Sequence, residues 1–545
     1  MTTALVRATE LVEALEEVVG KASARLAAAP ATDEDQTVPY DIASVSSAVA
    51  AARHLLDLGP HSAAEADLAL LFAADTAADL AGRTAGREAL WGLDGTTALD
   101  AAAEHIAAGR APAFLDTVAE RVLAAGGEAA PRHLSDELQL VRSTFRDFAE
   151  AKVKPVADAI HAGDEDIPDE IVDGLSEMGC FGLSIPAEYG GFAEGGADEL
   201  LSMVVVTEEL SRASLGAAGS LITRPEIIGT AIARGGTEEQ RRRWLPRIAT
   251  GERLCGVAVT EPNHGSDVGG ITTTAVRDGE DWILNGVKTW CTFAGRAHYL
   301  LVLARTQPDR SAGHRGLSLF VVEKPSFPGH EWQVTQDGGG SAEGRAIRTL
   351  GYRGMHSFEV TFDGFRVPAD NLIGLDEGLG RGFYLQMQAF ANARLQTAAR
   401  AVGVMQSALE LAADHARQRP VFGRPLTSFQ LTRAKLARMA AHIAACRAFT
   451  ATAARAITAG EGILAAAQVK QLACRAAEWV TREAQQLHGG YGYAEEYAVS
   501  RLFVDARVLS IFEGADEVLA LRVIARQLAK VAPPTTYEKG APPTT

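Results

Sequence analysis

Glu513 stands in "RVLSIFEGADEVLALRVIARQL", residues 507–528, after Ile511 and Phe512, with no lysine or arginine within three residues. A carboxylate so placed has two readings. It is a solvated acid at a helix start, where negative charge meets the positive end of the macrodipole, or a general base kept from water by apolar neighbours. Position alone favours the first, because most carboxylates near helix starts are caps. Two other stretches crowd hydroxyls, an aromatic ring and glycines together: "VAVTEPNHGSDVGG" from Val257 and "NGVKTWCTFAG" from Asn285. Each alone reads equally as strand-and-loop punctuation. The five cysteines, Cys180, Cys255, Cys291, Cys446 and Cys474, form no CxxC pair, and His264, His298, His314, His356 and His488 have no partner cluster along the chain. No metal site is expected, and the histidines read as ordinary loop or surface residues. The cysteine usage points to a reducing cytoplasm.

The elements that must position these residues change character along the chain. Residues 1–130 are alanine-rich helices, with Leu11, Leu15, Val18, Ala22 and Leu26 on one stripe and Ile42, Val45, Val49 and Leu56 on another. They carry no chemical constellation and read as an extension that packs on the main body or on a partner subunit. A crisper helical pattern restarts near 134 with Leu138, Val141, Phe145 and Phe148, and Thr237 is placed to cap a short helix. Between 256 and 372 the period becomes that of strands, with hairpin signals at Asp278-Gly279 and Asn285-Gly286. Long helices follow at 383–417, 427–458 and 460–488, then one after Glu513. The boundaries expected are 1–130 for the extension, 131–254 helical, 255–375 β, 376–531 a four-helix bundle, and 532–545 a disordered Pro/Thr-rich tail.

The chain has 545 residues, 47% apolar and 22% charged, and a net charge of −17, which argues against nucleic acid or an anionic membrane as partner. It holds no run long and apolar enough to suggest a membrane span, and the first twenty residues carry acids where a signal peptide needs an apolar core.

Taken together, the stretches resemble the flavin-contacting signatures of the acyl-CoA dehydrogenase family. Thr260, Glu261, Pro262, Gly265, Ser266 and Asp267 carry the likeness, then Trp290 and Thr292. It continues in "LGYRGMHSFEVTFDGFRVPADNLIG", "RQRPVFGRPLTSFQ", "QLHGGYGY" and "IFEG", covering about 135–530 in the family's order. The resemblance implies an α+β fold: an N-terminal helical domain, a middle β-barrel-like domain and a C-terminal four-helix bundle, here with the extra N-terminal helical extension. It implies FAD as cofactor. Thr260 and Thr292 would offer hydroxyls to the flavin edge, Trp290 a wall, and Val257 and Val259 backbone contacts. Arg419 would reach the FAD pyrophosphate across a subunit boundary, with Phe422 and Gln430 beside it. Gln486, Gly489 and Gly490 would lie along the adenosine half, and Ser266 near the acyl thioester.

By the same resemblance Glu513 is the base. It takes the α-proton of an acyl thioester as a β-hydride moves to flavin N5, and should sit desolvated in an apolar pocket. Some relatives carry the base on the bundle helix, but that position here is Ala393. The family's FAD-contacting threonine and glutamine after Glu-Gly are replaced by Ala515 and Glu517, so those contacts are not carried over. "TEELSRASLGAAGSLITRPEIIG" and "IFEGADEV" resemble family members whose short branched acyl chain ends in a carboxylate. A buried carboxylate needs a cation. Arg224 is expected to pair with it, and Arg394 is a second candidate. The implied electron acceptor is an electron-transferring flavoprotein. The resemblance implies a tetramer, but an N-terminal extension covering the second dimer contact would leave a homodimer, which is the assembly expected here. An acyl-CoA oxidase, a dehydrogenase of uncharged short branched chains and a non-catalytic relative of the fold are the alternatives.

Overall fold

The computed structural model describes residues 2–93, 98–196 and 198–531. The expected tail, 532–545, lies outside the described residues.

The extension is helical, chiefly Thr3–Ala28, Thr37–Leu56, Ala63–Thr84 and Pro112–Ala124. Its two possible packing surfaces resolve in favour of its own chain. Leu15, Ile42 and Leu71 share one continuous apolar core with Leu436, Met439 and Val469 of the C-terminal helices and with Leu519 beyond Glu513. Alanine allows this close helix-on-helix approach while costing little side-chain entropy. Polar contacts add register: Ser47 donates to Gln471 at 3.1 Å, Gln468 to Ser46 at 3.2 Å, and Arg438 to Asp75 at 2.9 Å. Arg132, at the end of the extension, meets both Glu208 and Glu209 at 2.9 Å, and Arg447 of the bundle meets the same Glu208 at 2.9 Å.

The next helices include Asp136–Phe148, Glu199–Ala213, Thr223–Gly235 and Glu238–Ala249. Thr237 caps the last of these in a reciprocal capping box with Gln240, as its position in the sequence predicts. An eight-stranded sheet follows. Cys255–Ala258 pairs in parallel with Tyr299–Arg305, whose other edge carries Leu317–Glu323. The path then runs through Thr274–Asp278, Asp281–Thr292, Ser357–Pro368, Ser341–Ile347 and Glu331–Thr335. Of the two hairpin signals only Asp278-Gly279 turns the chain. Asn285-Gly286 lies inside a strand at a register shift, where Gly286 has φ +144° and Asn285 Oδ1 accepts from Gly364 N at 2.8 Å.

The C-terminal helices are Gly382–Gln418, Gln430–Thr458 and Ile463–His488. Two features differ from the sequence reading. A further helix, Ala498–Leu509, precedes Glu513, and the helical run after it is broken into Asp516–Val518, a π-helical stretch Leu519–Ile524 and Ala525–Val531.

Candidate active site

Glu513 lies in the turn between Ala498–Leu509 and Asp516–Val518, with φ +55°, a conformation that non-glycine residues hold only when their surroundings impose it. The surroundings are specific. Phe512 is clamped between Tyr352, edge-on with ring centroids 5.5 Å apart, and the Arg400 guanidinium, 4.8 Å from its ring centre. Lys470 Nζ donates to Gly514 O at 2.6 Å. The turn is therefore held on both sides of Glu513, through the Phe512 ring and through the Gly514 carbonyl.

Arg224 opens the helix Thr223–Gly235, just after a π-helical turn, Leu215–Gly219, that Ser214 starts by accepting from Ala217 N. A Cβ on Gly216 would come within 2.2 Å of Arg353 O, so only glycine lets the loop carrying Tyr352 lie against this turn. Tyr352 N is tied to Asp505 Oδ1 at 2.6 Å. The result is a bridge. Arg224 Nη1 donates to Glu513 Oε1 at 3.2 Å and Nη2 to Tyr352 OH at 3.4 Å, with the Arg224 and Glu513 side chains 6% and 9% exposed.

The pocket expected to be apolar is cationic instead. Arg394 and Arg400 from Gly382–Gln418, and Lys470 from Ile463–His488, all feel the Glu513 charge, and burial lowers the pKa of each of these three cations. These residues are far from Glu513 in sequence, and only the fold brings them together. Arg394 Nε is enclosed without a hydrogen-bond partner. Arg400 is anchored by donation to Ser220 at 3.1 Å and Thr397 at 2.6 Å. Glu226, two residues after Arg224, accepts from Gln396. Burial pushes its pKa up to about 8, and the Glu513 charge acts in the same direction against Asn392 and Arg400. Sequence reasoning missed Glu226, Tyr352, Arg400 and Lys470; the signal for Glu226 and Arg400 was charge between apolar or proline neighbours, and Tyr352 and Lys470 carried none.

The other expected site residues fall into two further groups. Val259 and Thr260 are fixed by the pair Glu261–Lys288. Lys288 Nζ donates to Glu261 Oε1 at 2.9 Å and to Val259 O at 3.0 Å, while Thr260 O accepts from Thr289 N at 2.9 Å. Burial acts to raise the Glu261 pKa, but Lys288 and hydrogen bonds from Thr272 and Thr273 overcome it and hold it at about 2. Ser266 lies on the exposed loop that this pair anchors, and Val257 is half-buried in the strand Cys255–Ala258. Trp290 has φ +58° and is 56% exposed, a large ring held out from the strand, while Thr292 is buried with its hydroxyl 3.0 Å from Ser357 Oγ.

Arg419, Phe422, Gln430, Gln486, Gly489 and Gly490 gather at one end of the C-terminal helices. There the His415 and His488 rings stack at 4.2 Å and the Arg419 guanidinium lies 5.3 Å from the Tyr491 ring centre. All six are exposed, Phe422 to 92%. Among the described residues no hydrogen bond, ion pair or ring contact joins this group to the Thr260–Trp290 group. Exposed rings, an open guanidinium and two glycines with free space where a Cβ would stand suit a ligand that is aromatic at one end and anionic at the other.

Two histidines differ from the surface reading. His488 is buried, and His356 is buried between Asp166, 3.1 Å from its Nε2, and Asp164, 3.8 Å from its Nδ1. Asp164, His330 and His356 bring ligand atoms within 4.8 Å of one another, but Arg353 already supplies a cation 3.7 Å from Asp164. The set reads as an ion-pair seam between the helical domain and the sheet.

Comparison with known proteins bears on this arrangement directly. The family profiles "Acyl-CoA dehydrogenase, N-terminal domain", "middle domain" and "C-terminal domain" match residues 135–252, 256–365 and 380–529. A (2S)-methylsuccinyl-CoA dehydrogenase from Cereibacter sphaeroides is 48% identical over 72% of this chain and 70% of its own length. The chain belongs to the acyl-CoA dehydrogenase family. It is an oxidoreductase acting on a CH–CH bond. Among solved structures, a glutaryl-coenzyme A dehydrogenase in complex with glutaryl-CoA is 32% identical with a TM-score of 0.66, covering 74% of this chain and 98% of that one. A chain in a structure reported for the electron transferring flavoprotein of Acidaminococcus fermentans is 30% identical with a TM-score of 0.65, covering 73% and 99%. Acyl-CoA dehydrogenase family members are flavoproteins. Among the described residues no helix is long and apolar enough to cross a membrane.

Proposed function

We propose that this acyl-CoA dehydrogenase oxidises (2S)-methylsuccinyl-CoA to mesaconyl-CoA, as a step of the ethylmalonyl-CoA pathway, and passes the electrons to an electron-transferring flavoprotein. The observation that carries the substrate is the enclosed Glu513 carboxylate facing three guanidinium groups, Arg224, Arg394 and Arg400. A pocket for an uncharged acyl chain has no use for that much buried positive charge, which is costly without anions to meet it. A dicarboxylic acyl chain supplies one.

Glu513 is the base. Its carboxylate accepts the α-proton, and its backbone N–H is the donor available to the thioester oxygen as enolate charge develops. Arg224, with Arg394 as second donor, holds the far carboxylate and so fixes which carbon faces Glu513. FAD, when bound, supplies the acceptor for the hydride leaving the β-carbon. Trp290, Thr260 and Thr292, with Val257 and Val259, form its ring site; Ser266 borders the thioester. Arg419, Phe422, Gln430, Gln486, Gly489 and Gly490 form a pyrophosphate and adenosine site for the FAD of a second copy. Their exposure, away from the ring-site group, supports a homodimer in which each chain completes its partner's cofactor site. The five cysteines are all free and buried, which supports a cytoplasmic location.

The test is anaerobic mixing of the yellow protein with (2S)-methylsuccinyl-CoA while following the flavin absorbance band. Bleaching by this thioester and not by butyryl-CoA or isobutyryl-CoA is the expected result. Bleaching by the monocarboxylic thioesters alone overturns the substrate; in a separate aerobic assay, oxygen consumption matching turnover identifies an oxidase instead.

A further inference from the structure

Arg224 does more than wait for a ligand: it already holds the carboxylate that has to act as base. Glu513 Oε1 receives Nη1 at 3.2 Å in an enclosed pair. A guanidinium paired with one oxygen holds the whole carboxylate in place and draws on the charge that both oxygens share, so the contact has to open before the carboxylate is free to take a C–H proton. What opens it is decided by the surroundings. The groups facing Glu513 are Arg224 and Glu226 from one helix, Arg394 and Arg400 from a second, Lys470 from a third, and Tyr352 from the loop packed on Phe512; Asp516 follows on its own segment. Cations dominate this list. A buried guanidinium gives up one anion readily only for another, because an alkyl group leaves it unpaired.

We propose that Arg224 is a specificity latch: in the resting chain it holds Glu513, and a carboxylate on the acyl chain takes Arg224 in exchange, freeing the base only for a dicarboxylic acyl thioester. This rests on the reading of Glu513 as base and of the substrate as dicarboxylic. The geometry favours exchange over a rigid pair. Among the described residues the Glu513 carboxylate accepts a single hydrogen bond, at the long end of the usual range. Arg224 keeps a second anchor in Tyr352, so it stays in place when the contact opens. Arg394, with its enclosed and unpartnered Nε, is the donor at hand when two carboxylates share the pocket. Discrimination then operates on the chemical step as well as on binding, since a thioester lacking the carboxylate can bind and still find the base engaged.

The experiment measures the rate constant of anaerobic flavin bleaching, at saturating thioester, with (2S)-methylsuccinyl-CoA and with 2-methylbutyryl-CoA, its counterpart with methyl in place of carboxylate. In the Arg224→Met holoenzyme the rate with methylsuccinyl-CoA is expected to fall about a hundredfold, while the rate with 2-methylbutyryl-CoA rises about tenfold over wild type. Arg224→Lys, which keeps the charge, should leave the monocarboxylic thioester slow. Wild-type protein gives an independent reading should the methionine variant not fold: acetate added with 2-methylbutyryl-CoA supplies the missing anion and should accelerate bleaching. Slowing of both thioesters in Arg224→Met, or no response to acetate, overturns the latch. Equal wild-type rates with the two thioesters overturn the substrate, and turnover by Glu513→Gln overturns the base; either is distinguishable from failure of the latch.

Discussion

Glu261 and Glu513 are both enclosed glutamates paired with a cation. Glu261 accepts from Thr272 N, Thr272 Oγ1, Thr273 N and Lys288 Nζ at 2.6–2.9 Å, whereas among the described residues Glu513 accepts from Arg224 alone, at 3.2 Å. The saturated carboxylate is tied to the backbone just before strand Thr274–Asp278 and to Lys288 of Asp281–Thr292, and every lone pair is used. The other sits on a turn with a strained φ, and its one contact is the long one to Arg224. A carboxylate with all its lone pairs engaged holds structure, and one held by a single long contact can be released to do chemistry. Replacing each residue should therefore break different things.

The largest effect is expected at the singly held carboxylate, Glu513. Glu513→Gln keeps size and hydrogen bonding to Arg224 but cannot take a proton. Anaerobic bleaching should slow by about a thousandfold or more with the protein still yellow and folded. Lys288→Met acts on the saturated pair and leaves Glu261 with no counter-charge. It should lower unfolding free energy by about 3–5 kcal/mol in urea titration, with turnover per folded molecule changed far less. If Lys288→Met instead abolished turnover at full stability, the division between the two glutamates would be wrong.

That division was half legible in the sequence. The motifs around Thr260, Trp290, Arg419 and Glu513 are contiguous, so their types and spacing can be read along the chain. The partners are not. Arg224 is 289 residues from Glu513, and Arg400 and Lys470 reach it from separate helices, so the cationic pocket exists only after folding. Asp278-Gly279 was readable because a tight turn is decided locally. Asn285-Gly286 was not, because the same dipeptide makes a bulge once a partner strand, here Ser357–Pro368, lies alongside. Helix Ala498–Leu509 lacks a capping side chain, so no start signal marks it.

Glu226 sharpens the comparison, since it is a third enclosed glutamate and its pKa moves opposite to that of Glu261. Folding raises it from 4.5 to about 8, so between those values the folded chain holds a proton that the unfolded chain has lost. Stability from this group therefore falls as pH rises from about 5 to 8. Glu226→Gln, permanently neutral, should flatten that slope. The variant should match wild type at pH ~5 and exceed it by about 1–3 kcal/mol at pH ~8, as read by thermal melting across the range.

The smallest expected effect lies in the extension, and it asks how much of the Glu513 turn's order comes from outside the turn. Tyr40 OH donates to Asp516, three residues after Glu513, and the Arg475 guanidinium lies 5.8 Å from the Tyr40 ring centre. Burial and the Asp516 hydrogen bond push the Tyr40 phenol up to about 12, so it is a donor throughout the working pH range. Tyr40→Phe keeps the ring packed and removes only that donation, leaving Asp516 short of a partner in an enclosed place. The cost should be about 1 kcal/mol of stability. Because Lys470 still holds Gly514 O, the turn should loosen without collapsing. Turnover should then fall about threefold at unchanged KM, with the preference between thioesters intact, since neither Arg224 nor the carboxylate exchange is touched. A changed preference would mean that the extension reaches the latch itself; an unchanged kcat would mean that Tyr352, Arg400 and Lys470 suffice to set the turn.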